Sequence, residues 1–372
     1  MQMRSFGRRC GYQVNPVSIG AMRLPSDCCD AVKLIRHAID SGLKYIDTSR
    51  GYGESEFILG KALKDGYRQK VMLSTKCSPW IKKVRKDDDG SADSVRRRIE
   101  ESLFRLDTDY LDFYQIWNIN NDETWELACK KGGMVDGILR AIDEGMVKHT
   151  GFTTHDNPEN LLKMLPQADW AEVILISYHL LARSYEPVLQ KAHELGIGTV
   201  VMNPVGGGKF AEESPVLGRI AREVGAESVA DLAVRFVLSN PNVDSILCGI
   251  KKTSDVDNTI ASADRPAFTQ AQLAAINNFT SKLSRKNVGF CTNCRYCMPC
   301  PAGIDIPHMM TLIYNERFLG FKQAARNGYA QAEIKADVCK RCGQCELKCT
   351  QKLKIMEEMA YAAREFGGES KT

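Results

Sequence analysis

The stretch VSIGAMRLPSDCCDAVKLIRHAIDSGLKYID, Val17 to Asp47, reads as strand, helix, strand. Val17–Met22 is an opening strand. From about Cys28 to Ser41, the apolar residues Ala31, Leu34, Ile35, Ala38 and Ile39 keep helical spacing, and Gly42 stops the helix. Lys44–Asp47 is the next strand. An open doubly wound sheet would carry a glycine-rich turn after its first strand. Ser18-Ile19-Gly20-Ala21-Met22 is not one. Strand signals recur at Val71–Lys76, Leu111–Trp117, Val147–Thr153, Val173–Ser177, Gly198–Asn203 and Ser245–Gly249. Helical patterns separate them at Glu54–Lys64, Ala92–Leu106, Val135–Glu144, Pro158–Leu165, Tyr185–Leu195 and Val229–Ser239, and Ser254–Ser262 follows the last strand. Repeated βα units imply a parallel sheet with right-handed crossovers. Eight of them before about residue 265 fit a closed (β/α)8 TIM barrel, with the open sheet as the alternative.

A further helix, Gln270–Leu283, leads to Ser284-Arg285-Lys286-Asn287, which reads as a boundary: residues 1–284 form the barrel and 285–372 a small domain of helices and loops. The chain has 14 cysteines, six spread over the first 290 residues and eight between Cys291 and Cys349. A secreted disulfide scaffold is short and spreads its cysteines through the fold. A cysteine-poor body with a cysteine-dense tail indicates a reducing, cytoplasmic setting and a metal or cluster site. The tail reads Cys291-x2-Cys294-x2-Cys297-x2-Cys300-Pro301, then a helical spacer from Pro307 to about Ala336, then Cys339-x2-Cys342-x2-Cys345-x3-Cys349. Evenly spaced thiolates in a tight loop grip one face of a cubane, and in two-cluster ferredoxins the fourth ligand comes from the other motif. On that logic Cys291, Cys294, Cys297 and Cys349 hold one [4Fe–4S] cluster, and Cys339, Cys342, Cys345 and Cys300 hold a second. The first motif has two residues rather than three before its last cysteine, and Thr350 stands where proline is usual. Two structural four-cysteine zinc sites are the alternative.

Composition narrows the function. With 44% hydrophobic and 26% charged residues the chain is neither disordered nor fibrous. Fifty basic and 46 acidic residues leave a net charge of +4, which gives no reason to expect nucleic acid or an anionic membrane as partner. No apolar run approaches the ~18 residues of a membrane helix, and MQMRSFGRRC has no apolar stretch behind its arginine pair, so no export signal is expected. The charge run Lys82-Lys83-Val84-Arg85-Lys86-Asp87-Asp88-Asp89 reads as a solvated loop, and Gly367–Thr372 as a frayed end.

Polar and glycine-rich residues gather where the barrel strands end, the face on which such barrels build active sites. Asp47 ends the second strand, with Tyr52 just beyond it. Lys76 ends the third strand, Thr153 and Thr154 the fifth, Ser177 the sixth and Met202-Asn203 the seventh, while Gly249 with Lys251 and Lys252 closes the eighth. Tyr52, Lys76 and Asp47 make chemical sense together. An ammonium beside a phenol lowers the tyrosine pKa, and a carboxylate keeps the lysine charged. The phenol then donates a proton to a carbonyl oxygen as hydride reaches the carbon.

These stretches resemble the aldo-keto reductases, specifically the bacterial type with a C-terminal ferredoxin-like domain. The resemblance rests on Tyr45-Ile46-Asp47-Thr48-Ser49-Arg50-Gly51-Tyr52-Gly53-Glu54-Ser55-Glu56, Leu73-Ser74-Thr75-Lys76, Asp109-Tyr110-Leu111-Asp112-Phe113-Tyr114, Gly151-Phe152-Thr153-Thr154-His155 and Val201-Met202-Asn203-Pro204-Val205-Gly206-Gly207-Gly208, and on the cysteine motifs. It implies a (β/α)8 barrel that binds NADP(H) without a Rossmann turn, and it places the catalytic aspartate, tyrosine and lysine on Asp47, Tyr52 and Lys76. The fourth catalytic residue of the family is a histidine, and here that position is Trp117. An indole donates a hydrogen bond but cannot accept one or carry a proton. Asn118, one place on, would face the other way on a regular strand. The resemblance puts the nicotinamide carboxamide on Thr153-Thr154. A glutamine and an asparagine expected near the sixth strand read Leu175 and His179, with Ser177 between them. Met202 or Asn203 lies near the nicotinamide ring. The 2′-phosphate falls on Gly249-Ile250-Lys251-Lys252-Thr253, where two lysines suit a phosphate.

The expectation is a cytoplasmic iron–sulfur oxidoreductase. Its barrel would take NADP(H) and a small carbonyl or alcohol substrate, and its tail would pass electrons through two clusters to a redox partner protein. The competing reading is a non-catalytic electron-transfer or scaffold protein on a degenerate reductase barrel. Trp117, Leu175 and His179 favour it; Asp47, Tyr52 and Lys76 oppose it.

Overall fold

A computed structural model describes residues 1–80, 88–285 and 288–368. Most of the charge run (Lys82–Asp87), Lys286 and Asn287 at the expected boundary, and the last four residues lie outside them. The structure divides into two compact units, Met1–Pro204 with Ala233–Ala267, and Val205–Leu232 with Phe268–Thr372.

The first unit opens with a two-stranded hairpin, β1 (Arg4–Ser5) and β2 (Gln13–Val14). Eight strands follow: β3 (Val17–Gly20), β4 (Tyr45–Asp47), β5 (Met72–Cys77), β6 (Leu111–Ile116), β7 (Val147–Thr153), β8 (Val173–Ser177), β9 (Gly198–Met202) and β10 (Ser245–Gly249). All eight pair in parallel, each with its sequence neighbour, and β10 closes onto β3 with Ile246 opposite Val17 and Gly249 opposite Gly20. The barrel is closed, as the missing glycine-rich turn implied. Each strand falls on its predicted position. The helices at Cys28–Asp40, Ser55–Ala62, Ala92–Leu106, Met134–Asp143, Pro158–Met164, Glu186–Glu194, Val229–Leu238 and Thr253–Asp264 also fall within a residue or two of theirs.

The hairpin was not anticipated. It packs at the end where the strands begin: Gly7 N donates to Asp244, just before β10, at 3.0 Å, and Arg8 N donates to Gly196 O, just before β9, at 2.9 Å. Phe6 is fully buried and meets Tyr45 edge-on at 5.4 Å and Phe113 at 5.4 Å. With Val173, Val200 and Leu247 these rings fill that end of the barrel. The opposite end, where the polar residues lie, is left for chemistry.

The second unit has helices at Pro215–Glu223, Gln270–Lys282, Ile306–Arg317, Lys322–Ala330 and Ile355–Phe366, around buried Met309, Met310, Ile313, Phe321, Tyr329 and Met359. The spacer expected as a single helical run breaks at Gly320, whose positive φ of 77° lets it end the first helix. The expected boundary at 284/285 falls inside this unit. Residues 205–232 belong with the tail because they bond to it: the Ser214 hydroxyl donates to Leu319 O, the Glu212 carboxylate accepts from Gln323 N at 2.7 Å and Ala324 N at 2.9 Å, and Phe210 packs on Phe321 at 5.7 Å.

Candidate active site and cysteine loops

Register sets the first cluster of polar side chains. Asp47, the last residue of β4, pairs with Ser74 of β5, so Lys76 two positions on shares the face of Ser74. Lys76 is 1% exposed and Asp47 3%. The Lys76 ammonium donates to Asp47 Oδ1 and, at 2.8 Å, to the carbonyl of Thr48. Its Nζ also lies 5.0 Å from the centroid of the Tyr52 ring. Burial opposes the charge on Lys76, but Asp47 and Tyr52 favour it, and the net pKa is raised. Burial raises the Asp47 carboxyl against the pull of Lys76. Tyr52 corrects an expectation. Lys76 does lower its pKa, but burial raises it by more, so the phenol titrates above its ordinary value. A phenol held neutral is suited to donating its proton.

The loop carrying Tyr52 is fixed by residues the sequence reading passed over. Glu56 is fully buried; it accepts from Thr75 Oγ1 at 2.8 Å and from Arg105 Nε at 3.0 Å, which ties the helix Ser55–Ala62 to β5. Ser55 Oγ meets Thr48 Oγ1 at 2.8 Å and donates to Ala21 O at 2.8 Å. An acidic residue in the first turn of a helix is ordinary, so only its burial marks Glu56 as structural. Asp88 gives a second correction. It is not solvated but forms a buried ion pair with Arg98, and its Oδ1 also accepts from Gly90 N at 3.0 Å.

Trp117 lies just beyond β6, edge-on to Tyr52, with centroids 5.3 Å apart at 79°. Trp80 Nε1 donates to the Trp117 carbonyl at 2.8 Å. The indole therefore stands against the phenol. Asn118 does not follow strand alternation as expected, because β6 ends at Ile116. Asn118 takes a left-handed conformation, φ 69°; its N–H donates to Thr153 Oγ1 at 2.8 Å, and its buried Oδ1 has no hydrogen-bond partner.

The expected cofactor residues occupy the same end of the barrel. Thr153 and Thr154 are buried, and the Thr154 hydroxyl accepts from Asp156 N at 3.0 Å. Both hydroxyls keep a proton to donate. Asn203, at φ 59°, donates from Nδ2 to Ser177 Oγ at 3.3 Å, and Met202 pairs with Ser177 across β8 and β9. Leu175 is buried in the barrel core, and His179 Nδ1 accepts from Leu181 N at 3.1 Å. Beyond Gly249, the amides of Lys251 and Lys252 donate to Asp255 Oδ2 at 2.9 and 3.2 Å, leaving both side chains exposed.

In the second unit the cysteines surround two cavities. One is lined by Cys291, Cys294, Cys297 and Cys349, with Ile306, Met310, Leu353 and Ile355 as its apolar wall. The other is lined by Cys300, Cys339, Cys342 and Cys345, with Met356 and Met359; Cys297 borders it too. Burial raises the Cys291 and Cys297 thiols, and each feels Cys294 and Cys349 as neighbouring charge. Burial pushes Cys345 up to about 11, with Glu346 and Cys339 adding to it. Left-handed Asn293, Arg295 and Arg341 and Gly343, with φ between 50° and 73°, coil the two loops tightly enough to turn successive cysteines inward. Among the described residues no three His, Cys, Asp or Glu side chains converge closely enough to hold a single metal ion. The thiols line cavity walls instead, a donor arrangement that fits a multi-atom cluster better than lone zinc.

The profile of the Aldo/keto reductase family matches residues 16–280, and that of a 4Fe-4S dicluster domain matches residues 290–354. Similar curated proteins include two from Bacillus subtilis. The uncharacterized oxidoreductase YrpG is 26% identical over 69% of this chain and 89% of its own length. The uncharacterized oxidoreductase YqkF is 24% identical over 76% of this chain and 97% of its own. Among solved structures, the holo form of the aldo-keto reductase AKR11C1 from Bacillus halodurans superposes with a TM-score of 0.64 at 22% identity, covering 75% of this chain and 96% of that one. The thermostable aldo-keto reductase Tm1743, solved with the inhibitor epalrestat, gives 0.62 at 21% identity over 75% of this chain and 100% of that one. These likenesses extend over the barrel fold. Among the described residues no helix is long and apolar enough to cross a membrane.

Proposed function

Because the chain belongs to the aldo/keto reductase family and carries a 4Fe-4S dicluster domain C-terminal to its barrel in sequence, we propose that this oxidoreductase uses NADP(H) on a small carbonyl or alcohol substrate in a reducing cytoplasm, with two [4Fe–4S] clusters exchanging electrons with a partner. The observation that carries this reading is the buried Lys76–Asp47 pair beside the Tyr52 ring. When bound, nicotinamide exchanges hydride and clusters exchange single electrons. Tyr52 holds the proton that a carbonyl oxygen needs as it is reduced, or receives it when an alcohol is oxidised. Lys76 stabilises the phenolate left behind, and Asp47 and the Thr48 carbonyl hold that ammonium in place. Thr153, Thr154, Ser177, Met202 and Asn203 form the cofactor cradle at the strand ends, and Gly249 lets the chain turn toward Lys251 and Lys252. Those exposed lysines favour the extra phosphate of NADPH over NADH. The crossed sets, Cys291/Cys294/Cys297/Cys349 and Cys300/Cys339/Cys342/Cys345, hold the clusters.

The same observation weighs against a scaffold reading, since a barrel without chemistry has no need of a buried charged pair at its strand ends. The test is turnover of Tyr52→Phe. Loss of the phenol proton should lower kcat by about 10²- to 10⁴-fold, with nucleotide binding intact. The pH profile adds a sign check. Burial raises the Tyr52 pKa, so the protonated acid persists to higher pH, and carbonyl reduction should fall only above the ordinary tyrosine value of about 10. Equal turnover in Tyr52→Phe would remove the catalytic assignment.

A further inference from the structure

Seven large hydrophobic residues of the described chain are exposed, and four of them, Tyr296, Ile334, Val338 and Leu347, sit on or beside the cysteine loops. Leu347 is 84% exposed, two residues before Cys349. Around it the charge is one-sided. From Lys335 to Lys354 there are six basic residues and two acidic ones. Of those two, Asp337 is exposed beside Val338, and Glu346 is half-buried and accepts from Met356 N at 2.8 Å. Lys340, Arg341, Lys348 and Lys352 are exposed, and none has an ion-pair partner among the described residues. This patch is local, because the chain as a whole is near charge balance. Cys342, a member of one thiol set and next to Arg341 in the chain, is itself exposed.

A large exposed aliphatic side chain on a segment rich in unpaired cations costs solubility and does nothing for folding of the unit. It suits an interface with an apolar centre and a charged rim that steers the encounter. We propose that Val338, Leu347, Lys340, Arg341, Lys348 and Lys352 form the docking face for a small acidic one-electron carrier protein. The inference rests on the reading of the cysteines as cluster ligands. One electron passes between carrier and cluster; one is oxidised by one electron and the other reduced by one, with no bond made or broken and no proton required. Partner charge follows from complementarity: a basic carrier would be repelled by the four unpaired cations.

The probe is an acidic [2Fe–2S] ferredoxin, titrated anaerobically against the cluster-loaded full-length protein. Complex formation should weaken steeply with added salt. Lys340→Glu/Arg341→Glu should weaken it by about tenfold or more, and Leu347→Asp should weaken it without steepening the salt dependence. Carbodiimide coupling of carboxylates to lysines should link the ferredoxin to Lys340, Lys348 or Lys352, read by mass spectrometry. Iron and sulfide content is measured on every variant. Full clusters with no binding, salt-insensitive binding, or cross-links confined to other lysines would overturn the docking face alone. Protein that holds no sulfide would instead overturn the cluster reading on which it rests.

Discussion

At the scale of single residues, the proposed reading makes Trp117 the residue that separates this chain from an ordinary member of its family. The indole stands 5.3 Å from the Tyr52 ring, where a histidine could donate to, accept from and share a proton with a reacting oxygen. Indole nitrogen only donates, and the ring is larger than the imidazole it would replace. Trp117→His should therefore raise NADPH-dependent reduction of simple aldehydes, because imidazole restores a donor and frees volume. Assay of a panel of small aldehydes before and after the change decides the point. Strong aldehyde reduction by the unaltered protein would show the histidine to be dispensable. The meeting of Tyr52, Lys76 and Asp47 was legible in the sequence because strand ends are legible. The direction of the Tyr52 shift was not. It depends on how deeply the ring is buried, and no pattern of neighbours in sequence states a burial. Glu56 and Asp88 were missed for the same reason. Each looks like a surface acid until the fold supplies its arginine.

At the scale of elements, strands were easier to read than helices and loops. Each barrel strand is a short β-branched run bounded by turns, so their order and positions stood out. The hairpin β1–β2 is only two residues per strand and carries no alternation to read. The spacer of the second unit looked continuous because a single glycine inside a helical pattern is often tolerated; here Gly320 ends the helix. The cysteine loops were the opposite case, since their spacing alone suggested the crossed pairing. The cavities then gather Cys349 with the first loop and Cys300 with the second. That arrangement makes a selective prediction. Protein purified without oxygen should contain about eight iron and eight sulfide per chain, two cubanes' worth. Cys342→Ser should lose about half of each, keeping the cluster whose ligands include Cys349. Loss of both clusters, or stoichiometric zinc without sulfide, would break the scheme.

At the scale of the whole molecule, two kinds of electron chemistry share one chain. Nicotinamide gives up two electrons together, as hydride, to a carbon or to another hydride acceptor. A cubane takes one. Coupling them needs a group that accepts a pair and releases single electrons, the work a flavin does in other enzymes. The sequence has no motif for such a group, and the dicluster profile adds only clusters. On the proposed reading, the barrel and the clusters would run separate half-reactions unless a substrate or partner joins them. From this it follows that NADPH added alone to the anaerobic, fully loaded protein should leave the clusters oxidised, whereas dithionite should reduce them. Electron paramagnetic resonance reads the difference directly, since an oxidised [4Fe–4S]²⁺ centre is silent and its one-electron-reduced form gives a signal. A signal appearing with NADPH alone would mean that a two-electron carrier is bound in the protein, and that hydride from the barrel reaches the clusters without a partner. Silence with NADPH, followed by a signal once an acidic one-electron carrier in its reduced form is added, would place the entry of electrons at the cysteine loops and leave the barrel to its own substrate.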